Sequence, residues 1–189
     1  MSQFSLFGAA VATPVLADLD GVLLAGGHWV RAGETARLSV VVAERWRAEA
    51  LGEEFEQRAV AGDIVEAADG WSARTTFATA LLPYAGRWSR GANEGPPAGF
   101  ELTAAGLRLW TIASGRADEV GFLLGTGRTD TALHLAAGAQ LSRLGLAAVS
   151  LSQRPGPGWR ISSHKRVRRI AELVGPAPSG CGTDWPQAR

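Results

Sequence analysis

One cysteine, one lysine and three histidines are all that this chain of 189 residues has of those types. Cys181, standing alone, excludes an internal disulfide and fits a reducing compartment. The scattered His28, His134 and His164 give no metal-ligand spacing, so neither a zinc site nor any other metal or cofactor is expected. They also have no Ser or Cys at a spacing that implies nucleophilic catalysis. Gly125-Thr126-Gly127 and the glycines near it form no Walker or dinucleotide fingerprint. No apolar run approaches about 18 residues, which argues against a transmembrane helix. No basic segment precedes an apolar run near Met1, so a secretory signal is not expected and the location is read as cytoplasmic.

What the chain does have is ordinary globular composition, 46% apolar and 20% charged. Its charge is unevenly divided. Residues 1–95 hold 8 basic and 12 acidic side chains, a net −4, whereas residues 96–189 hold 11 and 6, a net +5. The second half is therefore the candidate polyanion surface. Nearly all of the basic residues are arginine, a bias typical of a GC-rich bacterial genome.

The chain is organised around Leu16–Gly27, where Leu16, Leu19, Leu23 and Leu24 recur at helical spacing and Gly26-Gly27 ends the helix. Leu107–Gly115 has the same character, and both stretches close in Ala-x-Gly. After each come strands, an amphipathic helix, a hairpin and a closing helix, which is an internal repeat. Predicted elements of the first half are a hairpin about Gly33, a helix from Glu44 to Val60 ended by Gly62, and a hairpin about Asp69-Gly70. A helix near 79–89 closes that half. In the second half, a strand over 119–124 is followed by a helix over 130–144. A hairpin across Arg154–Pro157 and a helix over His164–Val174 complete it. The expected divisions are a flexible peptide 1–13, a first repeat 14–90, a Gly/Pro linker 91–99, a second repeat 100–175 and a loose tail 176–189. The fold class is α+β, two pseudo-symmetric α-β-β-α-β-β-α halves. Ala25, Gly26 and Gly27 of one motif and Ala113, Ser114 and Gly115 of the other are expected to form the repeat interface, since small residues permit close helix contact. An ordinary α+β domain with two glycine-ended helices is the competing interpretation.

This layout resembles the LAGLIDADG homing-endonuclease fold, in which two such halves pack through their motif helices and lay a saddle of strands on duplex DNA. Leu19-Asp-Gly-Val-Leu-Leu-Ala-Gly-Gly27 matches the nine-residue motif at Leu19, Gly21, Ala25 and Gly27. The second copy keeps Leu107, Ala113 and Gly115. The resemblance implies a metal-binding acid just before each last glycine. Gly26 and Ser114 stand there instead, so the catalytic acids are absent and no nuclease activity is expected. The worn first motif is closer to the non-cleaving relatives such as the WhiA sporulation regulators. Asp18 and Asp20 form a tempting acidic pair, but two positions apart they point to different faces and are read as solvating or capping the first turns.

Two further stretches bear on function. Gln3-Phe4-Ser5-Leu6-Phe7 resembles the pentapeptide by which bacterial replication and repair proteins dock on the sliding clamp, with Phe4 in place of the usual Leu. An amide anchor followed by two large apolar groups suits a preformed pocket. Alternatively, Phe4, Leu6 and Phe7 alternate as an edge strand. Arg154, Trp159, Arg160, Lys165, Arg166, Arg168 and Arg169 cluster on a hairpin and the helix after it. They suit phosphate contacts, with Trp159 as a stacking surface; a solvated basic face is the plainer alternative. Together these imply a non-catalytic accessory protein of bacterial DNA replication or repair, at the nucleoid, with the sliding clamp and double-stranded DNA as partners. A WhiA-like DNA-binding regulator and a residual nuclease using Asp18 or Asp20 are the alternatives.

Overall fold

The computed structural model describes residues 12–91, 93–127, 130–152 and 156–187. Gln3–Phe7 and Arg154 lie outside the described residues. A 3-10 turn, Leu16–Leu19, runs into α1 (Asp20–Leu24). It is followed by β1 (His28–Ala32), β2 (Thr35–Val42), α2 (Arg45–Gln57), β3 (Gly62–Ala67), β4 (Gly70–Thr75) and α3 (Leu82–Trp88). A short hairpin, β5 (Ser89–Arg90) and β6 (Asn93–Glu94), leads to the second half. That half comprises α4 (Ala104–Ser114), β7 (Gly115–Asp118), β8 (Gly121–Gly125), α5 (Thr131–Arg143), β9 (Val149–Leu151), β10 (Gly158–Ile161) and α6 (His164–Val174). The sheet orders are β1-β2-β4-β3 and β7-β8-β10-β9, all antiparallel. The same order in both sheets makes the halves copies of one another, the two-repeat α+β fold expected from the sequence.

Alternation within the strands decides which face each sheet buries. Ala36, Leu38, Val40 and Val42 of β2 turn inward with Trp29 and Ala73, and Phe122, Leu124 and Ile161 do so in the second sheet. Helices cover these inner faces, and one continuous core joins the halves.

The two motif helices, α1 and α4, lie side by side and run in the same direction. Near their N-termini the Thr103 hydroxyl donates to Asp18 Oδ1 at 2.8 Å, and at their C-termini Ala25, Ala113 and Ser114 line one pocket. Between these ends the backbones meet at glycine: a Cβ on Gly21 would stand 1.8 Å from the carbonyl oxygen of Gly106. The tightest helix contact thus falls before the expected Ala25–Gly27 and Ala113–Gly115. Gly26 (φ 99°) presses instead on Gly127. Gly27 presses on the Val22 carbonyl and Gly115 on the Thr111 carbonyl, each within its own half. A crossing this close requires glycine at Gly21, while a Cβ on the facing Gly106 would stand 3.3 Å from the Asp18 carbonyl oxygen.

Asp18 and Asp20 are buried, not solvated, and Asp18 does cap the first turn, accepting from the Val15 amide at 3.0 Å. They do point apart. Asp18 accepts from Arg58 at 3.0 Å and from Thr103, while Asp20 accepts from the Trp88 indole at 2.7 Å. Arg58 also bonds Glu54 at 2.8 Å, and Arg108 of α4 reaches Glu54 at 2.6 Å. Two acids and two arginines therefore balance one another between the repeats, with three of the four nearly inaccessible.

Several boundaries differ from the expected ones. The strand expected over 119–124 begins only at Gly121, because Glu119 and Val120 form the turn between β7 and β8. Helix α2 stops at Gln57 because Val60 N–H folds back onto the Phe55 carbonyl, with Ala59 left-handed (φ 57°) in the place glycine normally takes. The second hairpin turns on Ala68-Asp69, while Gly70 begins β4 where any side chain would strike the Val42 carbonyl. The tail expected to be loose is packed through much of its described length. Trp185 is 3% exposed and donates to the Gly175 carbonyl, Cys181 is buried, and Arg108 stacks over the Trp185 ring. Part of the expected linker also folds back, where Glu94 accepts from the Trp29 amide at 2.8 Å.

Candidate nucleic-acid interface

The same alternation that buries one face of each sheet against helices turns the other outward, although Ser39 and Leu123 on it are themselves buried. In the first sheet, pairing aligns His28, Val30, Arg37, Ser39, Val41, Ser72, Arg74, Asp63 and Val65 on the outer side. In the second, it aligns Arg116, Leu123, Arg160 and Val149. Four arginines, Arg37 and Arg74 in one repeat and Arg116 and Arg160 in the other, thus stand on the outer faces. Arg37 lies 4.7 Å over the Phe77 ring, and Arg74 is paired with Asp63. Arg160 is paired with Asp118 at 2.7 Å. Burial pushes the Asp118 carboxyl up, but the Val120 and Gly121 amides and Arg160 outweigh it and hold it below the usual carboxylate range.

The faces meet at a pocket of about 410 Å³ beneath the ends of α1 and α4. Ala43 and Glu44, just past β2, line one side. Arg116, Leu123 and Gly125 line the other, and Asp184 of the C-terminal segment closes over it. Here the resemblance implies a divalent cation, and the donor set does not fit one. Gly26 has no side chain, and the Ser114 hydroxyl is spent on the Gly125 carbonyl at 2.8 Å. A cation is already built in: Arg47 of α2, 5% exposed, donates to the carbonyls of Ile112 and Gly115 at 2.8 Å each, at the C-terminus of α4. It also pairs with two carboxylates, Glu44 and, at 3.2 Å, Asp184, and lies 4.5 Å over the Trp46 ring. The guanidinium therefore meets the negative end of the α4 dipole and neutralises both acids. Among the described residues, no group of three His, Cys, Asp or Glu side chains is placed to hold a metal.

Of the sequence-predicted DNA contacts, Arg160 lies on the open sheet face, while Lys165, Arg166, Arg168 and Arg169 lie on α6 in the helix layer. Trp159 is not a stacking platform. It packs onto Gly138 of α5, stacks on His134 with centroids 4.7 Å apart, and donates to the His134 carbonyl. His134 is held further by Ser150 at 2.7 Å. Sequence reasoning missed Arg37, Arg74 and Arg116, whose signal was the period-2 alternation with arginine on the polar side. It also missed Arg47, which has no signal without the fold.

No protein family matches the chain by sequence, and no curated protein does either. Solved structures do match. The homing endonuclease I-WcaI bound to its DNA recognition sequence superposes with a TM-score of 0.62 at 12% identity, over 95% of this chain and 91% of that one. Full-length DUF199/WhiA from Thermatoga maritima gives 0.60 at 11% identity, over 85% of this chain and 55% of that one. I-DmoI in complex with DNA and Mn gives 0.51 at 14% identity, over 85% and 96%. The chain has the two-repeat fold shared by LAGLIDADG endonucleases and WhiA. No helix among the described residues is long and apolar enough to cross a membrane.

Proposed function

We propose that this chain is a duplex-DNA-binding protein that does not cleave, and that it lays the open faces of its two sheets on the phosphate backbone. The observation that carries this is the pair of sheet faces bearing Arg37, Arg74, Arg116 and Arg160 on either side of one central pocket. Two of the similar structures are DNA complexes, which supports the same reading. The absence of cleavage rests on Gly26, Ser114 and the Arg47 guanidinium at the helix ends. Labelled duplex titrated at several salt concentrations is the test. Arg37→Gln and Arg116→Gln each remove one cation from the phosphates, and each lowers the log–log salt slope by about 0.9. Unchanged affinity and slope in both variants would refute the sheet-face interface. Magnesium-dependent nicking of plasmid by the purified chain would refute the non-catalytic part.

On sequence alone, Gln3–Phe7 supports a second contact, docking on a sliding clamp, in a replication or repair setting. Leu6→Ala with Phe7→Ala abolishes clamp binding under this reading while leaving thermal stability nearly unchanged. Unfolding by that double change sinks it.

A further inference from the structure

Helix α6 carries a basic surface that the sheet faces do not include. We propose that Lys165, Arg166, Arg168 and Arg169 form a separate contact for the phosphate backbone of duplex DNA, so that one molecule holds two duplex segments on opposite layers. The two-segment arrangement rests on the sheet-face reading above; the α6 contact itself does not.

The helix is sharply divided. Ile170, Leu173 and Val174 are buried and Val167 packs on the core, while Lys165, Arg166 and Arg168 are exposed and Arg169 is half-buried. Its inward side rests on α4, which in turn lies against β7 and β8. The second sheet therefore stands between α6 and the face that carries Arg116 and Arg160. One duplex on that face leaves α6 uncovered.

The chemistry of the surface selects the partner. The four cations line an open depression of about 570 Å³ with Gly145, Ser163 and Glu172, the last 3.9 Å from Arg169. Among the described residues no aliphatic or aromatic side chain lines it, so a protein partner finds there none of the apolar anchors that dominate protein interfaces. No Asn or Gln lines it among the described residues, so nothing there suits adenine, and the four cations are assigned to phosphate oxygens. Residues 165–169 span about 6 Å of helix at 1.5 Å per residue. One strand of a duplex presents a charge per about 3.4 Å of axis, so this length faces about two phosphates of a strand.

The test uses the full chain, with one duplex on beads and a second, labelled duplex in solution. Wild type captures the second duplex. Lys165→Glu with Arg166→Glu and Arg169→Glu retains binding of a single duplex but lowers capture at least about tenfold; the Lys165→Gln, Arg166→Gln, Arg169→Gln set serves if the reversal fails to fold. Capture unchanged in these variants, or wild type that binds one duplex and never a second, overturns the proposal. Loss of capture that tracks loss of protein dimers in sedimentation assigns α6 to a protein contact and also overturns it. Arg37→Glu with Arg116→Glu and Arg160→Glu separates the two readings. If this variant binds single duplex normally while the α6 variant binds none, the sheet-face interface fails and the α6 contact stands.

Discussion

Replacing Asp20 by Asn should stabilise this protein at neutral pH, although it removes a buried hydrogen-bonding carboxylate. Asp20 is 4% exposed in α1, accepting from the Trp88 indole at 2.7 Å, with Arg87 3.7 Å away and half in solvent. Burial pushes its carboxyl from the ordinary 3.8 up to about 6, and the indole and the guanidinium only partly oppose this. Below 3.8 both the folded and the unfolded chain hold the proton. Between about 4 and 6 the unfolded chain releases it first, so stability falls as pH rises, and the loss is complete above about 6. The gap corresponds to about 3 kcal/mol. The amide of Asp20→Asn keeps an acceptor for Trp88 and does not titrate. Urea unfolding of both proteins from pH 4 to 7.5 reads the difference: the variant gains on the parent chain by up to about 3 kcal/mol across that interval. A difference that stays flat with pH would refute the reasoning. So would a variant less stable at pH 7.5, since the anion would then be stabilising.

Gly21→Val should cost about 3 kcal/mol or more in the same assay, because its Cβ collides with the Gly106 carbonyl and neither backbone can withdraw. Arg58→Met should cost about 3–5 kcal/mol by leaving Asp18 and Glu54 buried with one fewer partner; adding Asp18→Asn should recover part of that loss, and strict additivity would argue against the network. Trp185→Ala should cost about 3–5 kcal/mol by chemical denaturation, the cost of a buried aromatic, where a loose tail would cost nothing. Ala59→Gly should raise stability by about 0.5–1 kcal/mol by relieving the left-handed alanine, with the urea midpoint as readout.

The sequence by itself determined the repeat, the element order and the α+β class, because these follow from local periodicity and glycine punctuation. Helix α6 emerged with its expected bounds, His164–Val174, since its apolar stripe and closing Gly175 are signals within a few residues of one another. The absence of acids at Gly26 and Ser114 was equally plain. What the sequence left open depends on distance along the chain. The halves meet at Gly21 and Gly106, and Asp18 finds Arg58 and Thr103, because those partners are 40 to 85 residues apart and no periodicity relates them. The basic residues of the hairpin and of α6 read as one cluster in sequence, but strand pairing puts Arg160 on the open face and helix packing puts α6 on the other layer. Only the tertiary structure delivers Arg47 to the carbonyls of Ile112 and Gly115, a charge whose position is decided by the packing of α2 on α4.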